Sequence, residues 1–155
     1  MDLQGNRYIA ATQQQAWDAL NDADVLKACI PGCDQVEATG PGDFAVGMLL
    51  KLGPVSARFS GRILLTDVEP LQRYTLNFEG QGGVAGFGKG RAQVTLTPEG
   101  EGCTLSYVVD AQVGGKVAQI GRWLLSGASR SLTDKFFARF DTALQARLYK
   151  AERLG

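Results

Sequence analysis

The chain has 155 residues, enough for one ordinary domain that buries roughly 70% of the surface its unfolded form exposes. Lys+Arg and Asp+Glu both number 16, a balance that argues against a nucleic-acid binder, and no apolar run approaches the roughly 18 residues of a membrane span. Histidine is absent, which removes Ser-His-Asp triads, His-activated cysteine nucleophiles and His-rich zinc sites.

Residues 3–10 mix polar and β-favouring types and predict a first strand. Thr12 then stands as an N-cap before a short helix over 13–20. Asp22 or Asp24 can cap a second short helix through Ala28, which Pro31-Gly32 ends. Both helices are too short to be stable alone and must pack on something. From Phe44 onward large apolar residues alternate with polar ones: Phe44, Val46, Met48, Leu50 and Leu52; then Ala57, Phe59, Gly61, Ile63 and Leu65 opposite Arg58, Ser60 and Arg62. Tyr74, Leu76 and Phe78 continue the pattern, followed by Ala92, Val94 and Leu96, then Leu105, Tyr107 and Val109. A period of two means strands with one buried and one wet face. The turn signals Gly40-Pro41-Gly42-Asp43, Gly53-Pro54, Glu69-Pro70 and Pro98–Gly102 leave only short connections, which favours an antiparallel meander.

After Gly114-Gly115 the period becomes helical. Val117, Ile120, Leu124 and Ala128 form one stripe, and Leu132, Phe136, Phe140, Leu144 and Leu148 another roughly 100° around, which predicts a long helix bent near Gly127. The order of a strand, two short helices, a run of strands and one long helix is that of an α+β domain. No linker or repeat divides it, so residues 1–155 read as a single domain. Charge is uneven along it. Acids dominate the first 44 residues, where Arg7 and Lys27 are the only bases, whereas Arg130, Lys135, Arg139, Arg147, Lys150 and Arg153 make the C-terminal segment mildly basic. That segment reads as a solvated helix face or as a surface for an anionic lipid or acidic partner.

Several motifs tempt and fail. Gly83 to Lys89 spells G-x-x-x-x-G-K, but Gly90 stands where a P-loop needs Ser or Thr, and Gly80 to Ala85 spells G-x-G-x-x-A. Both motifs need the glycine loop to open a helix, whereas Arg91 to Thr97 alternate as a strand. The glycines therefore mark a hairpin or bulged strand end, or a portal to an interior. Cys29 and Cys33 are spaced too widely for C-x-x-C, and with Cys103 they fall short of a four-ligand metal site. Three cysteines without a secretory leader before them predict a reducing, cytoplasmic setting. Gly127-Ala128-Ser129-Arg130-Ser131 lacks the second glycine of a nucleophile elbow, and Asp2, Asp18, Asp110 and Asp134 form no acid–base pair that spacing reveals. What stands out is large apolar residues on the strands against small ones on the helix: Gly115, Ala118, Gly121, Gly127, Ala128 and Ser131. Each helical glycine costs roughly 0.5–1 kcal/mol relative to alanine, so their number points to close helix–sheet packing or to room for a ligand.

The stretches Trp17–Asp22, Leu26-Lys27-Ala28-Cys29-Ile30-Pro31-Gly32-Cys33, Gly53-Pro54-Val55, Gly82–Gly90 and Asp110–Lys116 resemble the carbon monoxide dehydrogenase G-subunit family, which lies within the START-like helix-grip superfamily. The resemblance covers nearly the whole chain. It implies a curved seven-stranded antiparallel sheet wrapped around a long C-terminal helix, with a cavity between them. It further implies a non-catalytic accessory protein of a molybdenum-containing hydroxylase such as aerobic carbon monoxide dehydrogenase. In that role the protein binds a respiratory quinone or other lipid non-covalently and links the enzyme to the inner face of the cell membrane by peripheral contact. The expected ligand-binding residues are Phe44, Met48, Phe59, Ile63, Tyr74, Leu76, Phe78, Phe87, Leu105, Tyr107, Ile120, Leu124 and Phe136, with Tyr74 or Tyr107 donating a hydrogen bond to a quinone carbonyl. No metal and no nucleic acid belong to this reading. Its alternatives are a ligand-free docking factor for the same enzyme, using Arg139, Arg147, Lys150 and Arg153, and a cyclase- or hydrolase-like enzyme of the superfamily.

Overall fold

The computed structural model describes residues 2–52, 55–115, 133–150 and 152. The chain opens with strand β1 (Asp2–Ile9), then helices α1 (Gln13–Leu20) and α2 (Ala23–Cys29). Thr12 caps α1 as expected. Its hydroxyl accepts from the Gln15 N–H at 3.1 Å, and the Gln15 side chain accepts from the Thr12 N–H at 2.9 Å. The cap of α2 is Asp22, whose carboxylate accepts from the N–H groups of Asp24 and Val25. After α2 the chain reverses at Gly32, where φ is +77° and a side chain would strike the Leu49 carbonyl, so only glycine fits.

Six strands follow as a meander: β2 (Cys33–Gly40), β3 (Asp43–Leu52), β4 (Val55–Glu69), β5 (Arg73–Gln81), β6 (Phe87–Glu99) and β7 (Gly102–Gly114). With β1 they form one curved sheet in the order β1-β7-β6-β5-β4-β3-β2, and every neighbouring pair is antiparallel. β2 is the strand that periodicity did not reveal. As an edge strand it is mostly exposed, with Val36 and both ends half-buried, so its sequence carries no alternation to read.

The concave face of the sheet carries the inward rows expected from the sequence. A helix over residues 133–150, α3, lies on it. Phe140 and Leu144 are almost wholly buried there, with Phe137 close behind, and they join Ile9, Ala16, Ala19, Leu20, Leu96 and Leu105 in one core cluster. Phe136 and Leu148, on the expected stripe, pack at its margin. The bend expected near Gly127 and the stripe Val117, Ile120, Leu124 and Ala128 lie outside the described residues.

Two ion pairs fasten α3. Arg7, on the concave side of β1, pairs with Asp134 and spreads its guanidinium over the Phe137 ring, 5.2 Å from its centroid. Arg147 pairs with the α2 cap Asp22 at 2.9 Å. All four side chains retain substantial solvent contact, and pairs of that kind contribute about 1 kcal/mol or less. The apolar stripe therefore holds the helix. Phe140→Ala should destabilise the protein by about 3–5 kcal/mol, read as a lowered midpoint in urea unfolding, while Arg147→Ala should shift it by about 1 kcal/mol or less.

Candidate functional site

The inward rows do not fill the concave face evenly. Antiparallel register sets Tyr74 beside Val94, and Val94 beside Tyr107; the next row is Leu65, Leu76, Ala92 and Val109. Beyond it come Phe44, Ile63, Phe78, Gly90 and Ala111, and then Val46, Gly61, Gly80, Gly88 and Val113. In that last row three adjacent strands present no side chain at all. Gly61 is glycine for steric reasons, since a Cβ there would run into the Glu79 carbonyl. Gly80 and Gly88 are not. A Cβ on Gly80 would have the Ser60 carbonyl 3.8 Å away as its nearest neighbour, and one on Gly88 the Gln112 carbonyl at 4.0 Å. Neither has a positive φ, so both could carry a side chain, which would stand in open space.

That space is a cavity of about 450 Å³ between the sheet and the helices. Leu20 of α1, and Leu26 and Ile30 at α2, close one side; Phe136 and Phe137 of α3 close another. Its wall is almost entirely apolar. Arg62 and Glu79 border it from alternate strand positions, whose side chains stand on the convex face. The Arg62 guanidinium lies there, forked onto Asp43 at 2.8 and 2.7 Å, and holds that carboxyl below its ordinary range. Arg58 does the same to Asp34. Among the described residues, charge is thus kept off the cavity wall.

Two hydroxyls belong to the lining residues. Tyr74 is buried, its ring edge-on to Trp17 at 5.4 Å, and its hydroxyl has no hydrogen-bond partner among the described residues. Burial pushes its ionisation far up, so it is a neutral phenol and a donor. A ligand acceptor in the cavity would give this donor a partner. Tyr107 stacks on Phe137 at 5.7 Å, and its hydroxyl lies over Gly5 on the neighbouring edge strand, where a Cβ would collide with it.

Of the residues expected to contact ligand, Met48, Phe59, Ile63, Tyr74, Leu76, Phe78, Phe87, Leu105, Tyr107 and Phe136 line this cavity. Phe44 does not. It packs with Leu26 and Ile63 in a second core cluster. Ile120 and Leu124 lie outside the described residues. Sequence reasoning missed Leu20, Leu26, Ile30 and Phe137, because helix residues facing a cavity look like ordinary core. It also missed the bare positions Gly80 and Gly88, whose signal was their strand phase. At the β5–β6 connection Gly83–Ala85 form a short 3-10 turn followed directly by β6, so the glycines do not open a phosphate-binding helix. Val84 projects there at 87% exposure, and Phe87, half-exposed, reaches the cavity.

The family model for the carbon monoxide dehydrogenase G subunit (CoxG) matches residues 5–145. The chain belongs to this family. A conserved protein from Geobacillus kaustophilus superposes with a TM-score of 0.87 at 30% identity, over 94% of this chain and 96% of that one. TTHA0849 from Thermus thermophilus gives 0.70 at 15% identity over 95% and 99% of the two chains. The ZhuI aromatase/cyclase from Streptomyces sp. R1128 gives 0.69 at 14% over 96% and 95%. At the two lower identities the likeness is one of fold, the helix grip. No curated protein matches the sequence.

In this CoxG-family chain Cys29 and Cys103 are packing residues. Cys29 and Cys103 are wholly buried, and burial pushes the Cys29 thiol up to about 11, with Cys33 and Cys103 also raised. Only the thiolate reacts, so at pH 8 Cys29 and Cys103 should resist maleimide in the folded protein. All three should label in urea; mass spectrometry of the adducts checks this.

Proposed function

We propose that this chain is a non-catalytic carrier that holds a lipophilic ligand, a respiratory quinone, in the cavity under α3. We assign it as the accessory protein of a molybdenum hydroxylase of the aerobic carbon monoxide dehydrogenase type, handling quinone between that enzyme and the membrane. The observation that carries the reading is the pair Gly80 and Gly88: two inward strand positions with room for side chains, and none present, over a cavity of about 450 Å³. Native interiors fill such space, and ligand sites usually measure about 300–1,000 Å³. Family membership supplies the partner, through the family's own description.

The chemistry of the wall favours binding over catalysis. A ring and an isoprenoid tail gain roughly 25 cal/mol per Å² of apolar surface removed from water, less the cost of ordering the ligand. Proton transfer needs a group that titrates near neutrality. Among the described residues the only ionisable side chains facing this wall are phenols, and Tyr74 is held protonated. A docking role through the C-terminal basic residues is less well supported. Arg147 is engaged by Asp22, and Arg153 lies outside the described residues.

Organic extraction of the purified protein should release a quinone detectable by mass spectrometry. A naphthoquinone should quench the fluorescence of Trp17, which abuts Tyr74 at the cavity wall. Gly80→Leu and Gly88→Leu should each weaken that binding at least about tenfold with circular dichroism unchanged, since each side chain would occupy ligand space. Lipid-free extracts together with no saturable quenching would overturn the carrier reading. Undiminished binding by both leucine variants would place the ligand elsewhere.

A further inference from the structure

The carrier reading names a quinone but leaves open whether the cavity excludes charged lipids and which end of the ligand enters first. We propose that it selects uncharged lipids and seats their polar head against Tyr74, at the end remote from the β5–β6 connection, with the tail running over the bare glycine row. This inference rests on the carrier reading and adds to it a ligand class and an orientation.

Three observations carry it. The first is charge. No described residue projects a charged side chain from the cavity wall. Arg62 and Glu79 border it from convex-facing positions, and Arg62 is bound to Asp43. Arg7, which shares the concave side of the sheet, is held by Asp134 and Phe137 at the β1 edge and does not line the cavity. A carboxylate or phosphate drawn inside would be desolvated without a counter-charge from any described residue, a cost that a neutral carbonyl or hydroxyl escapes.

The second is Tyr74. It is 5% exposed, it lines the cavity, and its hydroxyl lacks a partner among the described residues. Its cross-strand partner Val94, its same-strand neighbour Leu76 and the diagonal Ala92 offer no polar side-chain atom. A phenol donor on an apolar cavity wall is matched by a single acceptor on a neutral head. Tyr107 cannot substitute, because its hydroxyl is turned onto Gly5 at the sheet edge.

The third is the length of the site. Six residues along β5 separate Tyr74 from Gly80, about 20 Å at the usual strand rise. Between them Leu76 and Phe78 face the cavity, and beyond them the Gly61–Gly80–Gly88 row crosses three strands, about 10 Å wide at ordinary strand spacing. A molecule with its head at Tyr74 would lie along this line with its tail toward Phe59 and Phe87.

A matched pair of fluorescent lipids separates the possibilities: cis-parinaric acid and its methyl ester, which share a tail and differ in head charge, titrated at pH 8 into delipidated protein. The ester should bind at least about tenfold more tightly, and the acid should gain affinity as pH falls toward its carboxyl range. Tyr74→Phe should weaken the ester roughly three- to tenfold, the worth of one hydrogen bond, without weakening diphenylhexatriene, which has no head to anchor. The same variant should not lower the melting temperature, because it removes no hydrogen bond among the described residues. Equal affinity for acid and ester overturns the charge selection. Unchanged ester binding by Tyr74→Phe overturns the orientation. Failure of the ester and diphenylhexatriene alike to bind overturns the carrier reading itself, and the three results are distinguishable.

Discussion

Everything in this fold depends on how inward strand positions are filled. A β-strand offers one residue in two to the concave side, and each offering must meet a helix, a neighbouring strand's side chain or empty space. At the Ile9, Leu96 and Leu105 end the offerings are large and meet Phe140 and Leu144 of α3. At the other end Gly61, Gly80 and Gly88 offer nothing. Solid core and hollow share one sheet, and the boundary between them is written in side-chain size alone. The convex face is free to carry the charge, which it does in forked Arg–carboxylate pairs.

Much of this was legible in the sequence. Alternation from Phe44 to Val109 placed five strands and their inward faces correctly, because a half-buried antiparallel strand writes its geometry directly as a period of two. Thr12 and the α3 stripe were legible for the same reason: caps and amphipathic faces are local. What escaped was what locality cannot show. β2 pairs along one edge only and buries little, so it has no period. Phe44 carries the same alternation signal as Ile63 and shares a core cluster with it and Leu26, yet of the two only Ile63 lines the cavity. Phe137 lies off the stripe anchored on Phe136 but faces the core all the same, since α3 sinks deep enough to bury a broad arc.

The candidate site was half legible. Large apolar wall residues announce themselves, whereas a cavity is defined by what its wall lacks. Glycine-rich sequence at 80–90 reads equally as turn, phosphate loop or hairpin. Strand phase tells the glycines apart: those at 82, 83 and 86 belong to the connection, whereas those at 80 and 88 sit in register across β5 and β6 with their missing side chains aimed inward. Tyr74 and Tyr107 were equivalent candidates by sequence. Their surroundings separate them: Tyr74 has Val94 as its cross-strand partner and no hydrogen bond among the described residues, whereas the Tyr107 hydroxyl lies over the bare backbone of Gly5.

The clasp of α3 also shapes how the molecule is made. Arg7 and Asp134 stand 127 residues apart, and Asp22 and Arg147 stand 125 apart. Contacts of such span close late, after the loop entropy between them has been overcome. The strands of the greasy trough therefore leave the ribosome before the segment that covers them. During that interval the nascent sheet is a sticky, uncapped surface, the kind of substrate that chaperones exist to shield.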